Sequence, residues 1–167
     1  MIEHSSLRSA ESLIRFGAEK LSSISNVPRL EAEVLLSNLL KINPIKFHTD
    51  DIGISSNVMD KFESMIESRF KGMPIAYLIG KKEFWSLDFE INPSVLVPRP
   101  ETELLIENAI ELLKDHESPR ILELGTGSGI ISIVLYKELV TPEITATDIS
   151  DEALNVAKNN ADRYQIR

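Results

Sequence analysis

Residues 120–129 read Arg-Ile-Leu-Glu-Leu-Gly-Thr-Gly-Ser-Gly, and this stretch decides the fold of the second half of the chain. The apolar run 120–124 is typical of a buried strand, 125–129 of a glycine turn, and Ile130–Glu138 of a helix. A second strand is predicted at 143–148. It is followed by a helix over 151–162 that Ser150 caps. Strand, helix, strand and helix in this order predict a parallel α/β sheet with right-handed crossovers.

The residues before this stretch predict a helix and a hairpin. Residues 101–113 have the apolar spacing of a helix. Residues 82–91 alternate apolar and polar side chains, as a half-buried strand does. A turn is predicted at Asn92-Pro93-Ser94 and a second extended run at Val95–Val97. We therefore expect a β-hairpin that links two modules.

The first 72 residues predict a small helical bundle. The first helix is expected from Leu7 to about Ser23, the second from Pro28 to Asn43, and the third from Ser55 to Gly72. The apolar positions expected in its core are Leu7, Ile14, Leu21, Leu30 and Val34.

The fold class expected is α plus α/β, in three parts. Residues 1–73 form the helical N-terminal domain, 74–99 the hairpin linker, and 100–167 the first two strands of an incomplete parallel sheet.

Composition and charge limit the function classes. The 167 residues carry a net charge of −8, nearly all of it after residue 100, where 13 acidic side chains face 6 basic ones. An acidic surface repels a phosphate backbone, so a nucleic-acid groove is not expected in this part. Cysteine is absent, and His4, His48 and His116 lack the spacing of metal ligands, so no metal site is predicted. Neither a membrane span nor a signal peptide is visible, which predicts a cytoplasmic protein.

The glycine turn is the feature that suggests a ligand. Glycine permits positive φ and lets a ligand approach the backbone closely. The third glycine comes one residue too early for a dinucleotide fingerprint, since Ile130 occupies the expected place. Asp148 lies 23 residues after Gly125, at the end of the next strand, where a carboxylate accepts hydrogen bonds from ribose hydroxyls. A nucleoside site is therefore predicted, with a purely structural turn as the alternative.

Four motifs together resemble a known family. They are Gly72–Gly80 (Gly-Met-Pro-Ile-Ala-Tyr-Leu-Ile-Gly), Glu83-Phe84-Trp85, Val97–Glu103 (Val-Pro-Arg-Pro-Glu-Thr-Glu) and Leu122–Gly129. In this order they resemble the release factor glutamine methyltransferases, which are class I enzymes dependent on S-adenosylmethionine. The resemblance implies a helical N-terminal domain that binds the partner, a hairpin, and a Rossmann-like methyltransferase domain.

The resemblance also implies roles for individual residues. The cofactor S-adenosylmethionine would be cradled by Gly125, Thr126, Gly127, Ser128 and Gly129, with its ribose held by Asp148. Glu123 is expected either near the cationic end of the cofactor or paired with a backbone donor. Further pocket-lining candidates are Arg99, Glu101 and Glu103. For these three the alternative is an ordinary helix start that favours acidic residues.

The expected catalytic motif does not occur in the sequence. An amide nitrogen is a poor nucleophile, and the family grips the glutamine amide with an Asn-Pro-Pro-Tyr type motif. Asn92-Pro93-Ser94 does not substitute for that motif, because it lies in the linker and lacks the aromatic residue. We therefore expect a truncated chain, inactive alone, or the front part of a longer enzyme, such as one fused to a tRNA methyltransferase. Such a piece of sheet should leave apolar faces uncovered.

The function implied by the resemblance is methylation of the glutamine in the Gly-Gly-Gln motif of peptide chain release factors, during translation termination, by a monomer. Two alternatives stay open: a non-catalytic module that binds release factors, and a class I methyltransferase acting on nucleic acid such as tRNA. The second depends on the basic residues Arg69, Lys71, Lys81 and Lys82.

Overall fold

A computed structural model describes residues 8–166 of the chain. It divides into two compact units, Met1–Ile79 and Gly80–Arg167. The predicted start of the first helix at Leu7, and His4, lie outside the described residues. No helix within residues 8–166 is both long enough and apolar enough to cross a membrane.

The first unit is built mainly of helices, with one very short sheet. Its elements in chain order are β1 (Arg8–Ser9), α1 (Ala10–Leu21), α2 (Pro28–Leu40), α3 (Lys46–Thr49), β2 (Gly53–Ile54), α4 (Ser56–Phe70) and α5 (Ile75–Ile79). The three predicted helices are confirmed as α1, α2 and α4. Strands β1 and β2 pair antiparallel.

The core of the first unit lies where α1, α2 and α4 meet. Gly17 allows the close approach, because a Cβ there would lie 2.9 Å from Ile66 Cδ1 and 3.0 Å from Ala32 Cβ. Two core predictions on α2 are not met: Leu30 is 56% exposed and Val34 is only half-buried, and the apolar residues that α2 buries are Ala32, Leu35 and Leu36. Leucine lies on several faces of α2, so its apolar period does not identify the buried face.

The second unit begins with a hairpin and continues as an α/β sheet. Its elements are β3 (Lys81–Phe84), β4 (Leu87–Glu90), α6 (Glu101–Leu113), β5 (Arg120–Leu124), α7 (Ile130–Glu138), β6 (Glu143–Thr147) and α8 (Asp151–Arg163). Ser150 caps α8 as predicted, since its side chain accepts a hydrogen bond from Ala153 N at 3.1 Å.

The hairpin differs from its prediction. Strands β3 and β4 pair with each other, so the predicted single strand 82–91 contains the turn of the hairpin. Trp85 and Ser86 form this turn with φ of 53° and 57°, a conformation in which glycine or asparagine is expected. The run Val95–Val97 is not a strand in the structure. The predicted alternation of apolar and polar side chains is present, but the turn at Trp85 and Ser86 lacks the residues that usually mark a turn.

The parallel sheet is confirmed, with one difference in burial. Strands β5 and β6 pair in parallel over five residues each. However, the predicted buried strand β5 has Leu122 63% exposed and Leu124 77% exposed. Glu123 contacts Ser132 of α7, so by strand alternation these leucines occupy the opposite face. The fold is therefore the expected helical region followed by an incomplete Rossmann-like sheet, with one apolar sheet face uncovered among the described residues.

Candidate functional site

The glycine turn connects the end of β5 to the start of α7. Gly125, Gly127 and Gly129 all adopt positive φ, at 75°, 56° and 79°. Gly125 N and Thr126 N both donate to the carbonyl of Thr147, at 2.8 and 2.9 Å. These hydrogen bonds hold the turn at the end of β6. This is the carboxyl edge of the sheet, where parallel α/β sheets bind ligands.

The three glycines serve two purposes. A Cβ at Gly125 or Gly127 would meet no atom within 4 Å, so open space lies beside the backbone there. A Cβ at Gly129 would lie 3.1 Å from Ala157 Cβ of α8. Gly129 therefore permits close helix packing, whereas Gly125 and Gly127 leave room for a ligand.

Asp148 lies at the end of β6, directly beside the turn. Its Oδ2 accepts a hydrogen bond from Gly127 N at 2.8 Å, and its Oδ1 accepts one from Ser150 N at 3.0 Å. These backbone donors, Ser150 first and then Gly127, hold the pKa of this carboxyl below its ordinary value. An ionised carboxylate has about four acceptor positions, so these two hydrogen bonds leave Asp148 able to accept from a further hydroxyl group.

Glu123 faces into the protein and not toward the open side of the turn. Its Oε2 accepts hydrogen bonds from Thr126 Oγ1 at 2.9 Å, from Ser132 N at 3.2 Å, and from Ser132 Oγ. Of the two expectations for Glu123, this geometry favours pairing with a backbone donor. The carboxylate joins the turn to the first turn of α7. Thr126 is itself buried.

The other pocket-lining candidates lie at the start of α6. Arg99, Glu101 and Glu103 are exposed. Glu101 and Glu103 occupy the first turn of the helix, where acidic residues are favoured. Glu103 lines a cavity of about 590 Å³ whose other walls are Glu83, Phe84, Trp85, Ser86 and Glu138. No hydrogen bond joins these three residues to the glycine turn among residues 8–166.

Asn160 of α8 was missed by the sequence reasoning. It is fully buried, and its side chain contacts both the hairpin and the glycine turn. A signal was present: Ala153, Val156 and Asn160 are spaced as one helix face, and they are the residues that α8 buries. A polar residue on an apolar face indicates a specific buried hydrogen bond.

Two family models match the chain. Residues 12–80 match the PrmC N-terminal domain, and residues 99–167 match the family described as ribosomal protein L11 methyltransferase (PrmA). The first match lies almost entirely within the first unit, and the second covers α6 to the end of α8.

Curated relatives extend the likeness across both units. The release factor glutamine methyltransferase of Coxiella burnetii is 40% identical over 90% of this chain and 54% of its own length. That of Chlorobaculum tepidum is 37% identical over 92% of this chain and 53% of its own. A bifunctional methyltransferase of Rickettsia bellii is 36% identical over 95% of this chain and 34% of its own.

The chain thus spans about half the length of the release factor glutamine methyltransferases that it matches. The resemblance inferred from the four motifs is confirmed: this chain is related to the release factor glutamine methyltransferases, and it corresponds to part of their length.

Proposed function

We propose that this chain is the cofactor-binding front part of an S-adenosylmethionine-dependent methyltransferase that acts on the glutamine side chain of peptide chain release factors. The single observation that carries the cofactor assignment is the glycine turn, which has open space beside Gly125 and Gly127 and the Asp148 carboxylate bonded to Gly127 N. The names of the relatives supply the proposed substrate.

The residues present fit the cofactor. Asp148 would accept from the ribose on the acceptor positions that its backbone donors leave available. The start of α7 directs the positive end of a helix dipole at the turn, where the methionine carboxylate would bind. Ile149 is fully exposed beside Asp148 and offers an apolar surface for the adenine. When bound, the cofactor supplies a methyl group activated by its sulfonium charge.

Methyl transfer needs more than a bound cofactor. The lone pair of an amide nitrogen is delocalised into the carbonyl, so the amide must be gripped and aimed at the methyl group. No residue of the 167 has been assigned to that grip, because the expected Asn-Pro-Pro-Tyr type motif does not occur in the sequence. We therefore expect these residues alone to bind cofactor without transferring the methyl group.

The proposal also assigns the first unit to partner binding. The match of residues 12–80 to the PrmC N-terminal domain supports a part separate from the cofactor site. The proposed division is 1–73 for partner binding, 74–99 as hairpin linker and 100–167 for the cofactor. A release factor substrate implies a cytoplasmic enzyme of translation termination, which we propose to be monomeric.

Calorimetry with S-adenosylmethionine tests the cofactor assignment. We expect binding heat for the chain and its loss in Gly127→Val, because the new side chain fills the space beside the turn. Gly72→Val is the matched control, since Gly72 also has positive φ and open space around its Cβ position. No heat for the unaltered chain, with release factor binding retained, would support the non-catalytic module instead.

The expected lack of methyl transfer needs a second measurement. The chain, cofactor and a release factor are incubated together, and the glutamine-bearing peptide is examined by mass spectrometry. We expect the peptide to keep its mass, because the residues that grip the amide are missing. A mass increase of one methyl group would contradict this expectation and place the grip within these 167 residues.

Methylation of nucleic acid is the weaker candidate. Three of the four basic residues that suggested it are paired: Arg69 with Glu31 at 2.9 Å, Lys71 with Glu67 at 3.5 Å, and Lys81 with Asp88 at 3.1 Å. Paired cations attract a phosphate backbone less strongly than unpaired ones. A steep loss of RNA binding with added salt would revive this candidate.

A further inference from the structure

Asn160 uses every hydrogen-bonding group of its side chain. Its Oδ1 accepts a hydrogen bond from Glu90 N at 2.7 Å, and its Nδ2 donates to Glu90 O at 3.1 Å and to Ser128 O at 2.9 Å. The residue is 0% exposed. The amide thus joins three separate segments: α8, strand β4 of the hairpin, and the glycine turn.

The contact with Ser128 fixes the turn at its carbonyl group. The Ser128 carbonyl belongs to the peptide that links Ser128 to Gly129, so it lies between the two last residues of the turn. Ala157, one helical turn before Asn160, packs against Gly129, so that a Cβ there would lie only 3.1 Å from Ala157 Cβ. Helix α8 therefore holds the end of the turn by a hydrogen bond and by close packing.

The contact with Glu90 fixes the hairpin to the same helix. The backbone N–H of Glu90 donates to the Asn160 side chain, and the backbone C=O of Glu90 accepts from it, as the backbone groups of paired strands do. Phe89 and Ile91, on either side of it, are fully buried. Arg163 and Tyr164 also donate to the carbonyl of Asp88, at 2.9 and 2.8 Å. The hairpin is thus part of the packing around the glycine turn.

We infer that Asn160 is a positioning residue for the glycine turn, and that it acts by coupling the Ser128 carbonyl to strand β4. The inference rests on the proposed function for its consequence, which is that the hairpin influences cofactor affinity. The coupling itself is a property of the ligand-free chain.

The ordinary alternative is that Asn160 is a satisfied polar residue of the core. In that case its replacement lowers overall stability and leaves the turn of the folded molecules unchanged. If Asn160 positions the turn, its replacement changes the local structure at Ser128 even while the chain stays folded.

Asn160→Asp in the full chain separates the two cases. The substitution keeps the shape of the side chain and an acceptor for Glu90 N, but the carboxylate can donate neither to Ser128 O nor to Glu90 O. Asn155→Asp is the matched control, because Asn155 is an exposed asparagine of the same helix.

The first readout is the ¹³C chemical shift of the Ser128 carbonyl in the NMR spectrum, together with hydrogen exchange of the turn amides. We expect Asn160→Asp to shift this carbonyl signal and to speed exchange in residues 126–129 and 88–91 together. Asn155→Asp should leave both segments unchanged. An unmoved Ser128 signal in folded Asn160→Asp would overturn the inference, and so would a shifted signal without faster exchange in residues 126–129, because the turn would then have lost a hydrogen bond and kept its structure.

The second readout is affinity for S-adenosylmethionine. We expect Asn160→Asp to weaken it about tenfold, the effect of losing the one of the two donated hydrogen bonds that reaches the turn, at Ser128 O, with release factor binding unchanged. If the unaltered chain does not bind the cofactor, the proposed function fails, and hydrogen exchange of the turn amides still decides the coupling.

A measurement on the unaltered chain covers the case in which Asn160→Asp does not fold. If the coupling is correct, the Asn160 side-chain amide protons and the Glu90 amide proton exchange slowly and open together with the turn as denaturant is added. Fast exchange of the Asn160 side-chain amide would contradict the inference.

Discussion

The two units of this chain bury their apolar residues to different extents. The first unit encloses Leu13, Leu35 and Phe62 completely among its own helices. The second unit leaves Leu122 and Leu124 exposed on one face of its sheet, and Leu104, Leu105 and Leu112 exposed on α6. The helices of the bundle complete a core from local contacts, whereas a sheet of two strands has one face without a partner.

In this chain the local order of the candidate site is separate from the covering of apolar surface. The glycine turn, Asp148 and Asn160 are organised by hydrogen bonds in the unit that leaves apolar surface exposed. The unit with the complete core carries none of the cofactor candidates. The local order of a site therefore does not require that the sheet bearing it is fully covered.

The largest effect is expected from Phe62→Ala in the first unit. Phe62 is fully buried, and deletion of a buried phenylalanine ring costs about 3–5 kcal/mol. Urea denaturation followed by circular dichroism measures the change. Phe70→Ala, at a position on the same helix that is 40% exposed, is the control and should cost clearly less. A small effect of Phe62→Ala would show that this core is not closely packed.

Gly17→Ala should have the next largest effect. Alanine is the better helix former, but the new Cβ would lie 2.9–3.0 Å from Ile66, Ala32 and Phe62. Overpacking of this kind costs about 1–3 kcal/mol, more than the gain in helix propensity of about 1 kcal/mol. The same urea experiment measures it. A more stable Gly17→Ala would mean that the three helices can move apart, which would weaken the contrast with the second unit.

Asp148→Asn tests the organised part of the second unit. An amide is neutral and a weaker acceptor for Gly127 N and ribose, so S-adenosylmethionine affinity should fall about tenfold, as for a lost charged hydrogen bond. Calorimetry measures it. Asp151→Asn, an exposed acidic residue in the first turn of α8, is the matched control. Equal losses in both variants would indicate a general charge effect.

The pH dependence follows from the same carboxyl. The pKa of Asp148 is lowered from its ordinary value of 3.8, so folding favours the ionised form. Its contribution is complete above that value and is lost as pH falls through the lowered pKa. The protection factor of the Gly127 amide, which is its exchange rate relative to the intrinsic rate at the same pH, should therefore stay high at neutral pH and fall only in strong acid. Loss of protection near neutral pH would contradict the assignment.

The smallest effect on stability is expected from Leu124→Ser. Leu124 is exposed, so its removal should change stability by less than about 0.5 kcal/mol. The chain should become more soluble because an apolar group leaves the surface. Sedimentation and urea denaturation measure the two properties. A large loss of stability would show that this face is covered in solution, and the comparison between the units would then fail.

Much of the second unit could be predicted from the sequence. The bounds of α6, β5 and α7 match their predictions, and those of β6 and α8 differ by one residue. Glycines, a capping serine and apolar runs mark each boundary in this region, so local signals are sufficient. The turn at Trp85 and Ser86 could not be predicted in this way, because these residues rarely adopt positive φ.

The candidate site was predicted as a set of residues, but not as a network. The spacing of Gly125 and Asp148 suggested that they lie together, and the structure places Gly127 N on the Asp148 carboxylate. The contacts of Asn160 join residues 32 and 70 positions apart in sequence. No local pattern specifies such partners. The helices α3 and α5 were also not predicted, because they are too short to show a helical period of apolar residues.

The bond between Asn160 and Glu90 has a consequence for the order of folding. The hairpin strand is synthesised 70 residues before the side chain that receives it. On the ribosome the bundle can fold as soon as its helices emerge, but the hairpin must wait for α8. Contacts of high sequence separation form slowly, so docking of α8 should be the late step that sets the glycine turn.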